Sequence, residues 1–288
     1  SARSCAASCG TRSRKPIGSE ADNLRLCLPE NPALSTTIAI LSALPQEQGS
    51  LVHALQNPEK IIHAGRTFWR GALHGHQVVI ALSGIGKVAA ATTATVLAEK
   101  FGATRIVFTG VAGGIGANVN VGDVVVARDY LQHDMDASPI VERWLVPGYP
   151  QIRMACDASL TAQLLAATRE TVERDSHQID WASLGMEAQH RPQVHAGLIV
   201  SGDRFVSTAQ ESDSLRLALE AAGHPVLAVE MEGAAVAQVC ADYGIAFAAV
   251  RTISDRADDG AHLDFLQFVE TVASRYADHV VNAFLKSL

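Results

Sequence analysis

The sequence predicts an α/β fold in which helices pack against a mostly parallel central sheet. The main observation is a strand–helix–strand unit, with an apolar run at 226–229, a helix of small residues at 233–242 and a second apolar run at 245–250. Units of this kind build parallel sheets. A β-rich apolar segment at 36–43 supplies a first strand, and a chain of 288 residues, 48% of them hydrophobic, can bury one large core.

The other elements follow along the chain in an order that suits an α/β fold. Apolar or alternating runs predict further strands at 67–73, 77–82, 105–109, 121–127 and 197–201. Helical patterns predict helices at 87–101, 158–175, 210–222 and 264–288. No internal repeat or second break in composition interrupts residues 36–288, which we therefore interpret as one domain.

Residues 1–35 differ in composition from the rest of the chain. The first eighteen residues are rich in Ser and Ala and carry Arg3, Arg12, Arg14 and Lys15 without any acidic residue. This pattern is typical of an organelle transit peptide, of a disordered extension or of a cloning artefact. Composition favours a disordered extension over a targeting segment.

Charge and cysteine content exclude several classes of function. A formal net charge of −7 argues against a general nucleic-acid or membrane-surface binder, because both need a basic face. The cysteines stand at irregular positions: Cys5, Cys9, Cys27, Cys156 and Cys240. Their odd number and the lack of a CxxC pair suggest neither a disulfide framework nor a zinc site. A reducing, cytoplasmic setting fits them best.

Two glycine-rich segments follow predicted strands. Residues 83–90 match G-x-G-x-x-A, but the next strand ends in Thr109-Gly110 and lacks the acidic residue that a dinucleotide site requires. Lys87 also lacks the flanking residues of a P-loop. The segment 110–116 is predicted to turn the chain, either to present backbone N–H groups to a ligand or to make a tight connection.

Two further segments offer weaker signals. The run His133-Asp134-Met135-Asp136 supplies at most three mixed ligands without a partner cluster, which disfavours a metal site. Phe205 follows the strand at 197–201 and is predicted either to join the core or to stack on a flat ligand.

Ionisable side chains follow three of the predicted strands. Glu47 follows the first strand, Glu230 and Glu232 follow the strand at 226–229, and Arg251 and Asp255 follow the strand at 245–250. Ligands of open parallel sheets bind beyond the carboxyl ends of the strands. We therefore expect a site there, although a single such charge is equally explained by a helix dipole or an ion pair.

Seven motifs in order then identify a resemblance over about residues 37–288: IAILSALPQE, SGIGKVAAA, TGVAGG, VGDVVV, VSGDRFV, VEMEGAA and VRTISD. The chain resembles the nucleoside phosphorylase/hydrolase superfamily, and within it the 5′-methylthioadenosine/S-adenosylhomocysteine nucleosidases. The resemblance implies a three-layer α/β/α sandwich around a mixed, mostly parallel sheet. It also implies a homodimer in which a partner loop caps the 5′ end of a nucleoside substrate, with neither metal nor cofactor.

The resemblance also implies catalytic roles. Glu47 would activate the attacking water, Asp255 would protonate N7 of the leaving adenine, and the region of Gly113 would line the base and ribose pocket. This two-carboxylate scheme suits a bond whose cleavage leaves positive charge on the sugar and negative charge on the purine. Asp255 is then expected in a poorly solvated pocket that favours its protonated form.

Binding roles are implied for five further residues. Phe205 would stack on the base, and the backbone of Val206 would bind the edge of the base. Met231 and Glu232 would hold the ribose, with Glu232 accepting hydrogen bonds from its hydroxyls and Arg251 orienting Glu232.

Two alternatives stay open at this stage. A phosphorylase usually binds phosphate with several Arg, and here the first strand ends without Arg and with Glu47, which would repel the anion, although Arg204 and Arg70 could be recruited. A non-catalytic nucleoside-binding protein could also share the fold. The chain departs from the family pattern at Val111, where a hydroxyl residue is common, and in the segments 133–149 and 175–195.

Overall fold

Ten β-strands in the described part of the chain form one mixed sheet, and helices cover both of its faces. The computed structural model describes residues 36–48, 50–187, 189–257 and 268–288, without the side chain of Glu47. The predictions for residues 1–35 and for a helix before residue 268 lie outside these ranges. The division of the chain into an extension at 1–35 and a domain at 36–288 therefore stays a prediction.

The strands are β1 (Thr37–Ser42), β2 (Gln56–His63), β3 (Arg66–Leu73), β4 (His76–Leu82), β5 (Ala103–Gly114), β6 (Val124–Gln132), β7 (Met154–Ala155), β8 (Val194–Ser201), β9 (Val226–Glu230) and β10 (Ala246–Asp255). The α-helices are α1 (Leu51–Ala54), α2 (Lys87–Glu99), α3 (Ala158–Asp175), α4 (Ala209–Ala221), α5 (Gly233–Tyr243) and α6 (Ser274–Ser287). Short 3-10 turns lie at Pro45–Gln48, Ser176–Gln178 and Ala182–Leu184, and a π-helical turn at Val269–Ala273 precedes α6.

The sheet has two parts that share the long strand β5. In the first part, β5, β1 and β4 run parallel, and β4 continues through β3 to β2 as an antiparallel meander. In the second part, β5 pairs with β10, β10 with β6, β6 with β8, β8 with β9, and β9 again with β5. Those five strands therefore close into a ring.

The core lies in two layers because side chains of the parallel strands alternate between the faces of the sheet. In β1, Ile38 and Ile40 pack towards α3 and α6, whereas Ala39 and Leu41 pack towards α2 and α5. The predicted three-layer sandwich around a mixed sheet is confirmed. Among the described residues, no helix is both long and apolar enough to cross a membrane.

The glycine-rich segment after the predicted strand at 105–109 is the main correction to the predicted elements. It was predicted to turn at 110–116, but β5 continues as a strand through Gly114. Gly113 lies opposite Asp255 of β10 and opposite Val229 of β9. A Cβ atom on Gly114 would lie 2.9 Å from Cγ2 of Ile253, so glycine permits the close approach of β10.

Strand β2 was not predicted because its sequence lacks an apolar pattern. It forms the exposed edge of the sheet and carries Pro58, Glu59 and Lys60, residues that suit an edge strand and discourage pairing with another chain. The other predicted strands and helices are found with shifted ends, as at β6, which begins at Val124 and extends to Gln132.

Candidate active site

A cavity of about 360 Å³ opens at the carboxyl ends of strands from both parts of the sheet. It is lined by Ala43, Leu44, Gln46, Ile85, Val111, Ala112, Gly113, Arg204, Phe205, Val206, Val229, Glu230, Met231, Glu232, Ser254 and Asp255. Six of the predicted site residues are among them: Gly113, Phe205, Val206, Met231, Glu232 and Asp255. The sequence-based prediction of a site beyond these strand ends therefore agrees with the position of the cavity.

The floor of this cavity holds a buried ion pair between Glu230 at the end of β9 and Arg251 of β10. Nη2 of Arg251 donates to Oε2 of Glu230 at 2.8 Å, and both residues are less than 10% exposed. The hydroxyl of Ser201 donates to Oε1 of Glu230. The backbone N–H of Gly233 lies 2.9 Å from Oε2, and that of Glu232 lies 3.2 Å from it. A buried carboxylate is tolerated because several donors satisfy it.

The guanidinium of Arg251 is also held by the strands around it. Nη1 donates to the carbonyl oxygens of Phe108 at 3.1 Å and of Val250 at 3.2 Å. The guanidinium carbon lies 4.1 Å from the centre of the Phe108 ring, in a cation–π arrangement. Arg251 is therefore a fixed buried charge that ties β10 to β5.

The expectation that Arg251 orients Glu232 stays a prediction, to which the structure adds a contact with Glu230. The salt bridge of Arg251 is formed with Glu230, and Glu230 in turn accepts the backbone N–H groups that begin α5. Arg251 thus supports the Glu232 segment through Glu230. The sequence placed Glu230 at a strand end but indicated no role for it. Its contact with Arg251 arises because β9 and β10 both pair with β5, which only the fold shows.

Glu232 is held from the opposite side of the cavity by the segment that matched G-x-G-x-x-A. Its Oε1 accepts the backbone N–H of Gly86 at 2.8 Å, at the start of α2. The next N–H, that of Lys87, donates to Oδ1 of Asp203 at 2.7 Å. Two carboxylates of the chain itself therefore occupy the electropositive N-terminus of α2, where a dinucleotide site would bind a phosphate.

Asp255 ends β10 at the rim of the cavity and is 8% exposed. Its Oδ2 accepts the hydroxyl of Ser254 at 2.8 Å, and its Oδ1 accepts the N–H of Ala257 at 2.7 Å. A Cβ atom on Gly113 would come within 3.1 Å of Oδ1 and 2.9 Å of the Ala257 Cβ. Glycine at 113 therefore makes room for the Asp255 carboxylate, a second reason for the glycine-rich end of β5.

The loop after β8 forms another wall. Phe205 is 43% exposed and lines the cavity, whereas Val206 is buried. The sequence left open whether Phe205 joins the core, and its exposure at the cavity excludes that alternative. An exposed aromatic ring at a cavity mouth offers a flat surface for a planar ligand.

Glu47, Arg70 and Arg204 differ in their positions relative to the cavity. Glu47 lies in the 3-10 turn after β1, next to the cavity-lining Gln46, and its side chain lies outside the described part. Its catalytic role stays a prediction. Arg70 pairs with Glu59 on the edge strands and does not line the cavity, while Arg204 lines it and pairs with Glu211.

The segment 133–136, whose sequence disfavours a metal site, instead connects two other segments through Asp134. Asp134 binds the side chain of Lys87 and the backbone N–H of Asp203. Across the described residues, no group of three His, Cys, Asp or Glu side chains is arranged to hold a metal ion.

Comparison with known proteins relates this chain to a family. The phosphorylase superfamily matches residues 37–286. A 5′-methylthioadenosine/S-adenosylhomocysteine nucleosidase of Chromohalobacter salexigens is 37% identical over 251 residues, which cover 87% of this chain and 97% of that protein. The Neisseria meningitidis nucleosidase of the same name, solved with methylthio-immucillin-A, has a TM-score of 0.74 and 34% identity, and covers 88% of this chain and 100% of its own. Futalosine hydrolase of Helicobacter pylori has a TM-score of 0.73 and 28% identity over 88% of this chain and 99% of its own.

We expect the substitution Glu230→Gln to lower the free energy of unfolding by about 3–5 kcal/mol, because it removes the carboxylate charge from a buried ion pair. Urea denaturation would measure the loss. The control is Glu59→Gln, which removes the carboxylate charge from the exposed pair with Arg70 and should cost less than about 1 kcal/mol. Equal stability of Glu230→Gln and the wild type would contradict the central position given to this pair.

Proposed function

The chain belongs to the phosphorylase superfamily, and from this premise we propose that it hydrolyses the N-glycosidic bond of 5′-methylthioadenosine, S-adenosylhomocysteine or both, and releases adenine. The observation that carries the proposal is the placement of Glu232, Asp255 and Phe205 around one cavity. A carboxylate for the ribose, an acid for the base and a ring for stacking are the groups that a nucleoside hydrolase needs.

Asp255 acts as the general acid in this proposal. As the glycosidic bond breaks, electrons move onto the purine, and a proton delivered to N7 neutralises the leaving group. Asp255 is largely buried at the cavity rim, and burial disfavours the charged form of a carboxyl group. Glu47, in the turn after β1, takes the complementary role and deprotonates the water that attacks the anomeric carbon.

The remaining walls bind the two halves of the nucleoside. Glu232 accepts hydrogen bonds from the ribose hydroxyls, and its bond to the N–H of Gly86 fixes the direction of its carboxylate. Met231 packs beside the sugar. Phe205 stacks on the adenine, and the backbone of Val206 binds the edge of the base. Fixed groups of this kind raise the rate by holding the reactants in the productive arrangement.

Water suits this site better than phosphate. Arg204 is the one cationic side chain in the described lining of the cavity, and the guanidinium of Arg251 beneath the lining is already paired with Glu230. The ion pair of Arg204 with Glu211 further reduces its attraction for an anion. Phosphorolysis would need a stronger cationic clamp on the phosphate than Arg204 supplies.

We further propose that the protein is a homodimer in which a partner loop caps the 5′ end of the substrate. Ile85 and Phe205 line the cavity and are also exposed, by 61% and 43%, so an apolar rim surrounds its mouth. Light scattering coupled to size-exclusion chromatography should give the mass of two chains, and a single-chain mass would contradict the dimer. The cytoplasmic location stays a prediction, with which the free, buried thiols of Cys156 and Cys240 agree.

Adenine release from 5′-methylthioadenosine should proceed in phosphate-free buffer and should not accelerate when phosphate is added. Liquid chromatography would follow the base, with S-adenosylhomocysteine and futalosine as further substrates. Release that requires phosphate would establish a phosphorylase. Cleavage of futalosine alone would assign a different substrate, and nucleoside binding without release would indicate a binding protein.

The substitution Asp255→Asn should lower turnover by roughly 100- to 10,000-fold, because an amide cannot deliver a proton to N7. Asparagine keeps the oxygen that accepts the N–H of Ala257, so the thermal midpoint should change little. The substitution Asp180→Asn, at an exposed carboxylate, is the charge-matched control. Wild-type turnover in Asp255→Asn would remove Asp255 from the mechanism.

A further inference from the structure

A carboxylate outside the cavity joins the segments that carry the proposed nucleoside-binding groups. Asp134 lies in the loop after β6, and its two oxygens have different partners. Oδ1 accepts a hydrogen bond from the ammonium group of Lys87 at 2.6 Å, and Oδ2 accepts one from the backbone N–H of Asp203 at 2.9 Å. Asp134 therefore connects the start of α2 with the loop after β8.

A third hydrogen bond closes the network. Oδ1 of Asp203 accepts the backbone N–H of Lys87 at 2.7 Å, so Lys87, Asp134 and Asp203 form a closed cycle of three contacts. The Lys87 ammonium also donates to Gln132 at 3.1 Å. Each member of the cycle contacts the other two, which fixes the relative positions of the three segments better than any single bond would.

The cycle lies one residue away from Gly86, which binds a cavity-lining carboxylate, and one residue away from the cavity-lining Arg204. Gly86, which precedes Lys87, donates its N–H to Glu232. Arg204, Phe205 and Val206 follow Asp203 directly and line the cavity. A shift of the loop against α2 would therefore change the distance between the proposed ribose carboxylate and the proposed base-binding ring.

The electrostatics of the cycle favour its intact form at neutral pH. The side chains of Lys87 and Asp134 are 15% and 30% exposed, so solvent screens their attraction only partly. Partial burial raises the pKa of Asp134, but the bonds from Lys87 and from the Asp203 N–H outweigh it, and the net pKa lies below the ordinary value. The carboxylate is therefore ionised, and the contact is lost only as the pH falls into the acid range.

We propose that Asp134, together with Lys87, is a positioning residue that fixes segment 202–206 against the start of α2 and so sets the spacing between the base-binding and ribose-binding groups. The inference rests on the proposed function for the identity of the ligand. It predicts an effect on binding, because neither Asp134 nor Lys87 lines the cavity and Asp255 lies outside the cycle.

The test compares Asp134→Ala with Asp136→Ala. Asp136 stands two residues further along the same loop, caps the N–H of Ser138, and is 3.9 Å from Arg143 with both side chains more than half exposed. For Asp134→Ala we expect KM and the Kd of free adenine to rise about tenfold, with kcat within about threefold, as for a lost charge-assisted contact that supports binding. Asp136→Ala should match the wild type in all three.

Hydrogen exchange of the ligand-free protein tests the contact without any nucleoside. The amides of residues 202–206 should exchange faster in Asp134→Ala than in Asp136→Ala and the wild type, since the Asp203 N–H loses its acceptor. A lower thermal midpoint with unchanged KM and unchanged adenine affinity would show a merely structural role and overturn the inference.

A second variant approaches the same contact from its other side. Lys87→Met should also raise KM, and the double variant with Asp134→Ala should raise it by less than the product of the two single effects, because both single variants remove the Lys87–Asp134 bond. Additive effects would overturn the inference. Failure of the wild type to bind or release adenine would instead refute the proposed function and this inference with it, while faster exchange in Asp134→Ala would still establish the contact.

Discussion

The buried ion pair between Glu230 and Arg251 is the interaction on which the rest of the site depends. Neither charge has solvent to stabilise it, so each must be satisfied by the chain. Glu230 takes donors from Ser201 at the end of β8 and from Gly233 at the start of α5, and Arg251 reaches the carbonyl oxygen of Phe108 in β5. Satisfying two charges therefore brings five elements, namely β5, β8, β9, β10 and α5, to one point below the cavity.

The need to bring these elements close to the Glu230–Arg251 pair explains the glycines around it. A Cβ atom on Gly233 would lie within 2.6 Å of the ring and hydroxyl of Tyr130, which packs against the start of α5. Burial raises the pKa of Tyr130 well above its ordinary value, so the ring is a neutral wall behind the pair. Glycine at 233 lets the Tyr130 ring pack closely while the N–H of Gly233 still donates to Glu230. Glycine at 113 similarly leaves space for the carboxyl group of Asp255.

Much of the fold could be predicted from the sequence, because buried parallel strands are apolar runs and helices of small residues follow them. Charged residues after those strands indicated the site, while the roles of Phe205 and Glu232 came from a family resemblance. The partner of Arg251 could not be predicted, since β9 and β10 approach each other through β5. The continuation of β5 through Gly114 could not be predicted from the sequence, because glycine usually marks a turn. Here glycine instead permits close packing of neighbouring strands.

The ring formed by β5, β10, β6, β8 and β9 has a consequence for how this protein can change over time. An open row of five strands needs four pairings, whereas the ring has a fifth, so sliding any strand by one residue would break its alignment with two neighbours at once. The loops at the mouth can therefore lengthen, shorten or exchange residues while the carboxylates below keep their places. Such a scaffold allows relatives to diverge in the nucleosides that they accept without rebuilding the chemistry that cleaves them.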